Sequence, residues 1–131
     1  MPIIDKIAWL EIQNKSILST RSKGKNIFYF PGGKREFGET DVEALIREIK
    51  EELTVELQVN TLEYIGTFEA QADGHPLDTI VRMTCYSGKY FGKLEASSEI
   101  EEIAWLRYDD KEKSSTVDKI IFNWLRSNKT L

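Results

Sequence analysis

The sequence predicts an α/β protein in which a mixed β-sheet is flanked by helices. Two observations predict this class: apolar stretches with partial alternation occur in both halves of the chain, and each strand-rich half is followed by one amphipathic helix. The chain has 131 residues, which is enough to bury a core without disulfides or metal staples. We therefore expect residues 1–131 to form a single domain.

Composition excludes several classes of protein. Hydrophobic residues make up 40% and charged residues 31% of the chain, as in ordinary globular domains. The single cysteine, Cys85, cannot form an internal disulfide, and the N-terminal residues lack the pattern of a signal peptide. No apolar run approaches a membrane span. We expect a cytoplasmic protein without a membrane partner.

The first half of the chain predicts strands separated by polar turns. Predicted strands occupy 3–12, 16–20 and 27–30, with a turn at Asn14 and Lys15, a basic loop over 21–26, and a stop at Pro31-Gly32-Gly33. A helix follows, because Thr40 and Glu43 have the spacing of a capping box. Its apolar stripe comprises Val42, Leu45, Ile46, Ile49 and Leu53.

The second half repeats this order. Alternating or apolar segments predict further strands over 55–59, 62–70, 79–90 and 100–106, with a loop over 71–77. A closing helix is predicted by its apolar spacing, with Ser114 or Ser115 as the N-cap. Its stripe comprises Val117, Ile120, Ile121, Trp124 and Leu125.

The central helix concentrates carboxylates on one side. Glu48 is related to Glu51 and Glu52 by i,i+3 and i,i+4 spacing, at which side chains meet and like charges repel. One interpretation is a solvated face, softened by Arg47 and Lys50. The other is a site for a hard divalent cation such as Mg²⁺, which prefers oxygen ligands and binds carboxylates together with substrate phosphates.

The residues around this helix form a longer pattern. Gly33 is followed after five residues by Glu39, and after seven more by Arg47-Glu48-Ile49, one residue, Glu51-Glu52, one residue, and Thr54-Val55. This resembles the signature of the Nudix hydrolases, G-x5-E-x7-R-E-U-x-E-E-x-G-U, in its MutT-type branch. Eight of nine specified positions match. The departure is Thr54, where the family has a helix-ending glycine, so we expect a different or strained helix end.

The resemblance implies a Nudix-fold α/β/α sandwich and a set of site residues. Glu48, Glu51 and Glu52 would hold Mg²⁺, with Mn²⁺ as a substitute, and a loop carboxylate at Glu99 would add a ligand. Glu48 is the first choice for activating the attacking water, with Glu51 as a second catalytic carboxylate. Glu101 and Glu102 compete with Glu99 for the loop role.

The arginine of the signature is assigned an orienting role. The resemblance implies that Arg47 pairs with Glu39 and holds the site in place. The alternative is a surface arginine paired with Glu43 or Glu51.

Substrate contacts are the least specific part of the pattern. Arg21 and Lys34 are the first candidates for phosphate contacts, and Gly32 and Gly33 allow the backbone to approach a ligand closely. Candidates for contacting the base are Trp9, Phe28, Tyr29, Trp105 and residues 114–116. The lone His75 is expected to be an exposed bystander and Cys85 a buried small hydrophobe.

The resemblance implies hydrolysis of a nucleotide pyrophosphate bond. We expect a nucleoside triphosphate, oxidised or not, to give monophosphate and pyrophosphate. Alternatives are another nucleoside diphosphate-X substrate, such as ADP-ribose or a dinucleoside polyphosphate, and a non-catalytic nucleotide sensor. The partner is a small nucleotide, and the chain is a monomer or homodimer.

The distribution of charge agrees with this expectation. The net charge is −4, and residues 34–52 hold seven acidic and four basic residues, so −3 of it lies beside the predicted site. An acidic chain is a poor binder of nucleic-acid polymers. A nucleotide that binds together with a metal ion is not repelled in the same way, because the cation makes the local charge positive.

Overall fold

The computed structural model describes residues 2–131, so Met1 of the predicted domain lies outside the described residues. The strands are β1 (Ile3–Trp9), β2 (Ile12–Gln13), β3 (Ser16–Ser22), β4 (Gly32–Gly33), β5 (Glu56–Leu57), β6 (Glu63–Gln71), β7 (Ile80–Ser87), β8 (Tyr90–Phe91) and β9 (Ile100–Leu106). The helices are α1 (Asp41–Leu53) and α2 (Thr116–Ser127), with short 3-10 helices at Val59–Thr61 and Tyr108–Lys113.

A mixed β-sheet forms the centre of the molecule. Its strand order is β4-β1-β7-β6, and β1 pairs with β7 in parallel while the other two pairings are antiparallel. A second, antiparallel sheet has the order β2-β3-β9, and β5 pairs with β8. The predicted fold class, a mixed sheet flanked by helices, is confirmed.

Strand β1 contributes to two cores because side chains alternate between the faces of a sheet. Ile7 and Trp9 belong to the cluster that contains the buried face of α1. Ala8 belongs to the cluster that contains the buried face of α2. The two helices therefore cover opposite faces of the sheet region. Among residues 2–131, no helix is long and apolar enough to cross a membrane.

Four predicted strands differ from those observed. The strand predicted over 55–59 is reduced to β5, and the one predicted over 79–90 is divided into β7 and β8. The strand predicted over 3–12 ends at Trp9, and the segment predicted over 27–30 makes only isolated bridges at Phe28 and Tyr29. The pairing with β1 is made instead by Gly32 and Gly33. A Cβ at Gly32 would overlap the Ile7 carbonyl oxygen, so only glycine allows this close approach.

The end of α1 confirms the expected strain at Thr54. This residue is the C-cap and adopts the left-handed conformation, with φ 62° and ψ 17°. Its hydroxyl donates a hydrogen bond to the Lys93 carbonyl at 3.1 Å, which ties the helix end to the loop before β9. A β-branched residue is costly in this conformation, since the left-handed region crowds the Cβ atom.

Replacement of this residue by glycine should stabilise the chain. We expect Thr54→Gly to raise the free energy of unfolding by roughly 1 kcal/mol, because relief of the left-handed strain outweighs one exposed hydrogen bond. Urea denaturation measures the effect, with Thr54→Ala as the control that loses the hydroxyl but keeps a Cβ. A Thr54→Gly variant no more stable than Thr54→Ala would contradict the account.

Candidate active site

A cavity of about 370 Å³ opens beside the glycine turn and the carboxylate side of α1. We call it the carboxylate cavity. Its lining residues come mainly from β1, β3, β4, α1 and β7 and from the loop that precedes β9. Residues that line it include Lys6, Gly33, Lys34, Glu48, Glu52 and Glu99.

Three of the four predicted metal ligands meet in this cavity. Glu48 and Glu52 reach it from α1, and Glu99 reaches it from the loop. The backbone N–H of Gly32 donates to Glu52 Oε1 at 3.3 Å, and a Cβ at Gly33 would overlap Glu48 Oε2. The glycine turn and the carboxylates therefore fit together as one unit.

Glu51, the fourth predicted ligand, is placed differently. Its side chain is 54% exposed, and the Arg47 Nη1 atom lies 3.5 Å from its Oε1 atom. It is absent from the residues that line the carboxylate cavity within the described chain. The structure thus brings together Glu48, Glu52 and Glu99 and leaves Glu51 on the outer side of the helix.

Burial and mutual repulsion disturb the titration of two carboxyls. Burial, with the charges of Glu48 and Glu99 adding to it, raises the pKa of Glu52 to about 8. Burial also raises the pKa of Glu48, although its hydrogen bond from Arg47 acts in the opposite direction. Neighbouring carboxyls with raised pKa values lie in surroundings that supply too little positive charge to stabilise their ionised forms. Such surroundings are expected where a cation binds.

The donor set fits a hard divalent cation. Every candidate ligand offers carboxylate oxygen, which Mg²⁺ and Mn²⁺ accept, and the soft or nitrogen donors Cys85 and His75 lie elsewhere. Within residues 2–131, no three or more His, Cys, Asp or Glu side chains are arranged so that they could hold a metal ion as they stand. One oxygen of Glu48 faces Arg47 and one of Glu52 faces Gly32.

Arg47 organises the turn that precedes the helix. Its guanidinium donates to both oxygens of Glu39, at 2.7 Å and 2.9 Å, and to the Lys34 carbonyl at 3.1 Å. A further bond reaches Glu48 Oε1 at 2.7 Å. The bond from Arg47, assisted by one from the Glu36 N–H, lowers the pKa of Glu39 to about 2. The predicted pairing of Arg47 with Glu39 is present in the structure.

The loop that carries Glu99 is fixed to the end of α1. The backbone N–H groups of Glu95 and Ser97 donate to the carbonyls of Leu53 and Glu52, at 3.1 Å and 2.9 Å. These bonds satisfy carbonyls at the end of α1 that have no partner within the helix. They also place Glu99 opposite α1.

The basic candidates divide into two groups. Lys34 lines the carboxylate cavity, together with Lys6 and Lys25. Arg21 is held elsewhere, because its guanidinium donates to Glu102 at 3.0 Å and to Glu101 at 3.5 Å. These contacts also occupy the two acidic residues that competed with Glu99.

A second, smaller cavity adjoins the first. We call it the second cavity, and it lies between β1, β7 and the start of α2. Tyr29 and Ser115 line it, among the predicted base contacts, and so does His75. Trp9 is fully buried, and its indole N–H donates to the Gly88 carbonyl at 3.1 Å. Trp105 is 37% exposed and is absent from both cavity linings within residues 2–131.

Sequence reasoning missed two residues of this region. Asp118 carries no distinguishing signal in the pattern of the closing helix, yet it is fully buried, and its Oδ1 atom has no hydrogen-bond partner among the described residues. Its Oδ2 atom accepts from the Phe30 N–H at 2.8 Å. Lys6 interrupts the apolar row Ile4, Ala8 and Leu10 on one face of the first strand region. A lysine within an apolar row is the sequence feature by which Lys6 could have been recognised as a candidate site residue.

The titration of Asp118 should be visible in stability. Burial raises its pKa from 3.8 to about 7, although the Phe30 hydrogen bond and Lys6 act in the opposite direction. The folded chain therefore keeps a proton that the unfolded chain releases, so this residue lowers stability as the pH rises from about 4 to about 7. An asparagine side chain at the same position would not ionise.

We therefore expect Asp118→Asn to reduce the loss of stability between pH 5 and pH 8. Urea denaturation midpoints at both pH values measure it, with the exposed Asp78→Asn as the matched control. Wild type and Asp118→Asn losing the same stability over this range would show that the carboxyl ionises freely.

Comparisons with known proteins agree with the site. The NUDIX domain family matches residues 7–125. The ADP-ribose pyrophosphatase of Methanocaldococcus jannaschii is 30% identical over 120 residues, which cover 89% of this chain and 69% of that protein. The E. coli ORF135 protein has a TM-score of 0.74 at 23% identity, with 98% of this chain and 94% of that chain covered.

A MutT NUDIX hydrolase is also a structural neighbour. The crystal structure of the protein from Burkholderia pseudomallei has a TM-score of 0.78 at 18% identity, with 94% of this chain and 98% of that chain covered. At these identities, the solved structures show the shared fold.

The chain belongs to the NUDIX domain family, since the match spans most of its length. It is a Nudix pyrophosphohydrolase, and enzymes of this family generally use divalent metal ions such as Mg²⁺. The resemblance based on the signature is confirmed.

Proposed function

We propose that the chain hydrolyses the α–β phosphoanhydride of a nucleoside triphosphate to give a monophosphate and pyrophosphate. The observation that carries this proposal is the meeting of Glu48, Glu52 and Glu99 in one cavity with Lys34 and the glycine turn. This cavity shares Lys6, Tyr29 and Met83 with the second cavity, whose lining offers a base both apolar side chains, such as Val81 and Val117, and polar ones, such as Asp73 and Ser115. Phosphates and base would thus lie in adjacent compartments.

In this proposal, Glu48, Glu52 and Glu99 would hold Mg²⁺, with Mn²⁺ as a substitute. When bound, the cation would neutralise phosphate charge and lower the pKa of water. Glu51 stays a predicted ligand that would have to turn inward from its exposed position.

The protein's own groups perform the remaining tasks. Glu48 accepts a proton from the attacking water, a role favoured by its raised pKa and by the hydrogen bond from Arg47 that orients it. The Gly32–Gly33 backbone approaches the phosphates closely, since neither residue has a side chain to exclude them. Lys34 balances phosphate charge at the cavity edge, and Arg47 holds Glu39 and the turn in place. Arg21 would reach phosphate only after leaving Glu102.

ADP-ribose is the second candidate substrate. The observation that favours it is the 30% identity with the Methanocaldococcus jannaschii protein, whose name is ADP-ribose pyrophosphatase. Its diphosphate presents the same phosphoanhydride to the carboxylate cavity. The two candidates differ in the group beyond the second phosphate.

A substrate panel distinguishes the candidates. The purified chain with Mg²⁺ is offered nucleoside triphosphates, oxidised purine triphosphates, ADP-ribose and dinucleoside polyphosphates, and the products are separated by ion-exchange chromatography. We expect the highest kcat/KM with a triphosphate, giving monophosphate and pyrophosphate in equal amounts. A highest value with ADP-ribose, giving AMP and ribose 5-phosphate, would select the second candidate. No turnover of any compound would contradict both.

A further inference from the structure

Lys6 lies at the boundary between the two cavities. It lines both of them, as do its neighbours Tyr29 and Met83. Lys6 is a β1 residue paired in register with Met83 of β7, so the central sheet fixes its backbone. A nucleotide that places its base in the second cavity and its phosphates in the carboxylate cavity must pass over this boundary.

The charge of Lys6 acts on the carboxyls of Glu52 and Asp118 and opposes the rise in the pKa of each, but at longer range than an ion pair. Among residues 2–131, it forms no ion pair, whereas the arginines near the site do. Its Nζ atom lies 5.4 Å from the centre of the Tyr29 ring. Its side chain is partly buried, whereas Lys25, another lysine of the carboxylate cavity, is exposed.

A lysine in this place departs from the apolar pattern of its strand face. It interrupts the row Ile4, Ala8 and Leu10, whose other members pack into the α2 core. An anionic ligand at the boundary would supply a direct ion-pair partner.

We propose that Lys6 binds the phosphate nearest the nucleoside, as the cation that joins the second cavity to the carboxylate cavity. This inference rests on the proposed function, because it takes the nucleotide to span both cavities. An ammonium-to-phosphate contact is a charge-assisted hydrogen bond, and its loss at a partly desolvated position lowers affinity about 10-fold or more.

Equilibrium binding of nucleosides and nucleoside monophosphates tests the proposal. The probes are AMP and GMP, each compared with adenosine and guanosine, which lack the phosphate. We expect Lys6→Met to weaken binding of the better monophosphate about 10-fold or more while leaving its nucleoside unchanged. Lys6→Arg should retain most of the affinity because it keeps the charge. Lys89→Met, an exposed lysine outside both cavities, is the matched control for the change in net charge.

Three outcomes would overturn the proposal. Monophosphate binding by Lys6→Met that equals wild type would show that no phosphate contacts Lys6. Equal losses for nucleoside and monophosphate would show that Lys6 shapes the second cavity or contacts the base. Absence of monophosphate binding by wild type would also contradict it. Failure of this proposal can be told apart from failure of the proposed function. The substrate panel uses only the wild-type chain, so its result tests hydrolysis whether or not Lys6 contacts a phosphate.

Discussion

Glu52→Gln should abolish most hydrolysis while the chain stays folded. Glutamine keeps an oxygen that can accept the Gly32 N–H bond, but it removes the charge that the cation requires. We expect kcat/KM to fall by roughly 10²–10⁴-fold. Glu48→Gln removes the proposed general base, and we expect it to lower kcat/KM by a factor in the same range. The measurement is the initial rate with the best substrate of the panel. The matched control is Glu56→Gln, an exposed carboxylate that pairs with Lys50 away from the cavity.

The same variant should be more stable than wild type in metal-free buffer. Because the pKa of Glu52 is raised to about 8, the folded chain resists an ionisation that occurs freely in the unfolded chain above about pH 4.5. Wild type therefore loses stability as the pH rises from about 5 to about 8, and Glu52→Gln escapes this part of the loss. Near-native turnover, or a melting temperature at pH 8 no higher than that of wild type, would contradict the role assigned to Glu52.

Arg47→Lys is the second large expected effect, although it preserves the charge. Lysine cannot reproduce the forked contact with both oxygens of Glu39 while also reaching Lys34 and Glu48. Loss of a group that orients metal ligands typically costs 10–100-fold in metal affinity or activity. We expect a loss of about that size in kcat/KM, with a higher Mg²⁺ concentration needed for half-maximal rate.

The reverse exchange on the same helix provides the control. Lys50→Arg alters an exposed residue whose contact is a single ion pair with Glu56, so it should leave the Mg²⁺ dependence unchanged. Wild-type rates and Mg²⁺ dependence in Arg47→Lys would show that a positive charge suffices at this position and that the fork has no orienting role.

Much of the fold could be predicted because local signals and burial agree. The capping box at Thr40 and Glu43 and the apolar stripe of α1 predicted a helix, and the structure has Thr40 as the N-cap of α1 with both capping-box hydrogen bonds present. Val81, Met83 and Cys85, which alternate within the strand predicted over 79–90, are buried in β7. The strand at the glycine turn was missed because its cause is a close backbone approach to β1, which no propensity of glycine reveals.

Site contacts between residues that are close in sequence could be predicted, and most of those made by tertiary packing could not. Helix spacing was enough to predict that Glu48 and Glu52 lie together, because they are related by i,i+4 on α1. The pairing of Arg47 with Glu39, which lies before the helix, was predicted from the resemblance to the signature. Arg21 was predicted to contact phosphate, but the pairing of β3 with β9 places it beside Glu101 and Glu102, which bind its guanidinium. These residues are distant in sequence, so the pattern around Arg21 could not reveal them. Asp118 and Lys6 gain their significance from burial and from the junction of two cavities, which depend on tertiary packing.

Hydrolysis of a nucleotide phosphoanhydride should depend on a divalent cation in the carboxylate cavity. The most direct test follows hydrolysis of the best substrate by ³¹P NMR, first with the chain treated with EDTA and then after addition of excess Mg²⁺. The account predicts no hydrolysis with EDTA and full recovery with Mg²⁺, with monophosphate and a second phosphate product appearing together. Undiminished hydrolysis in EDTA, or no recovery with either Mg²⁺ or Mn²⁺, would contradict it.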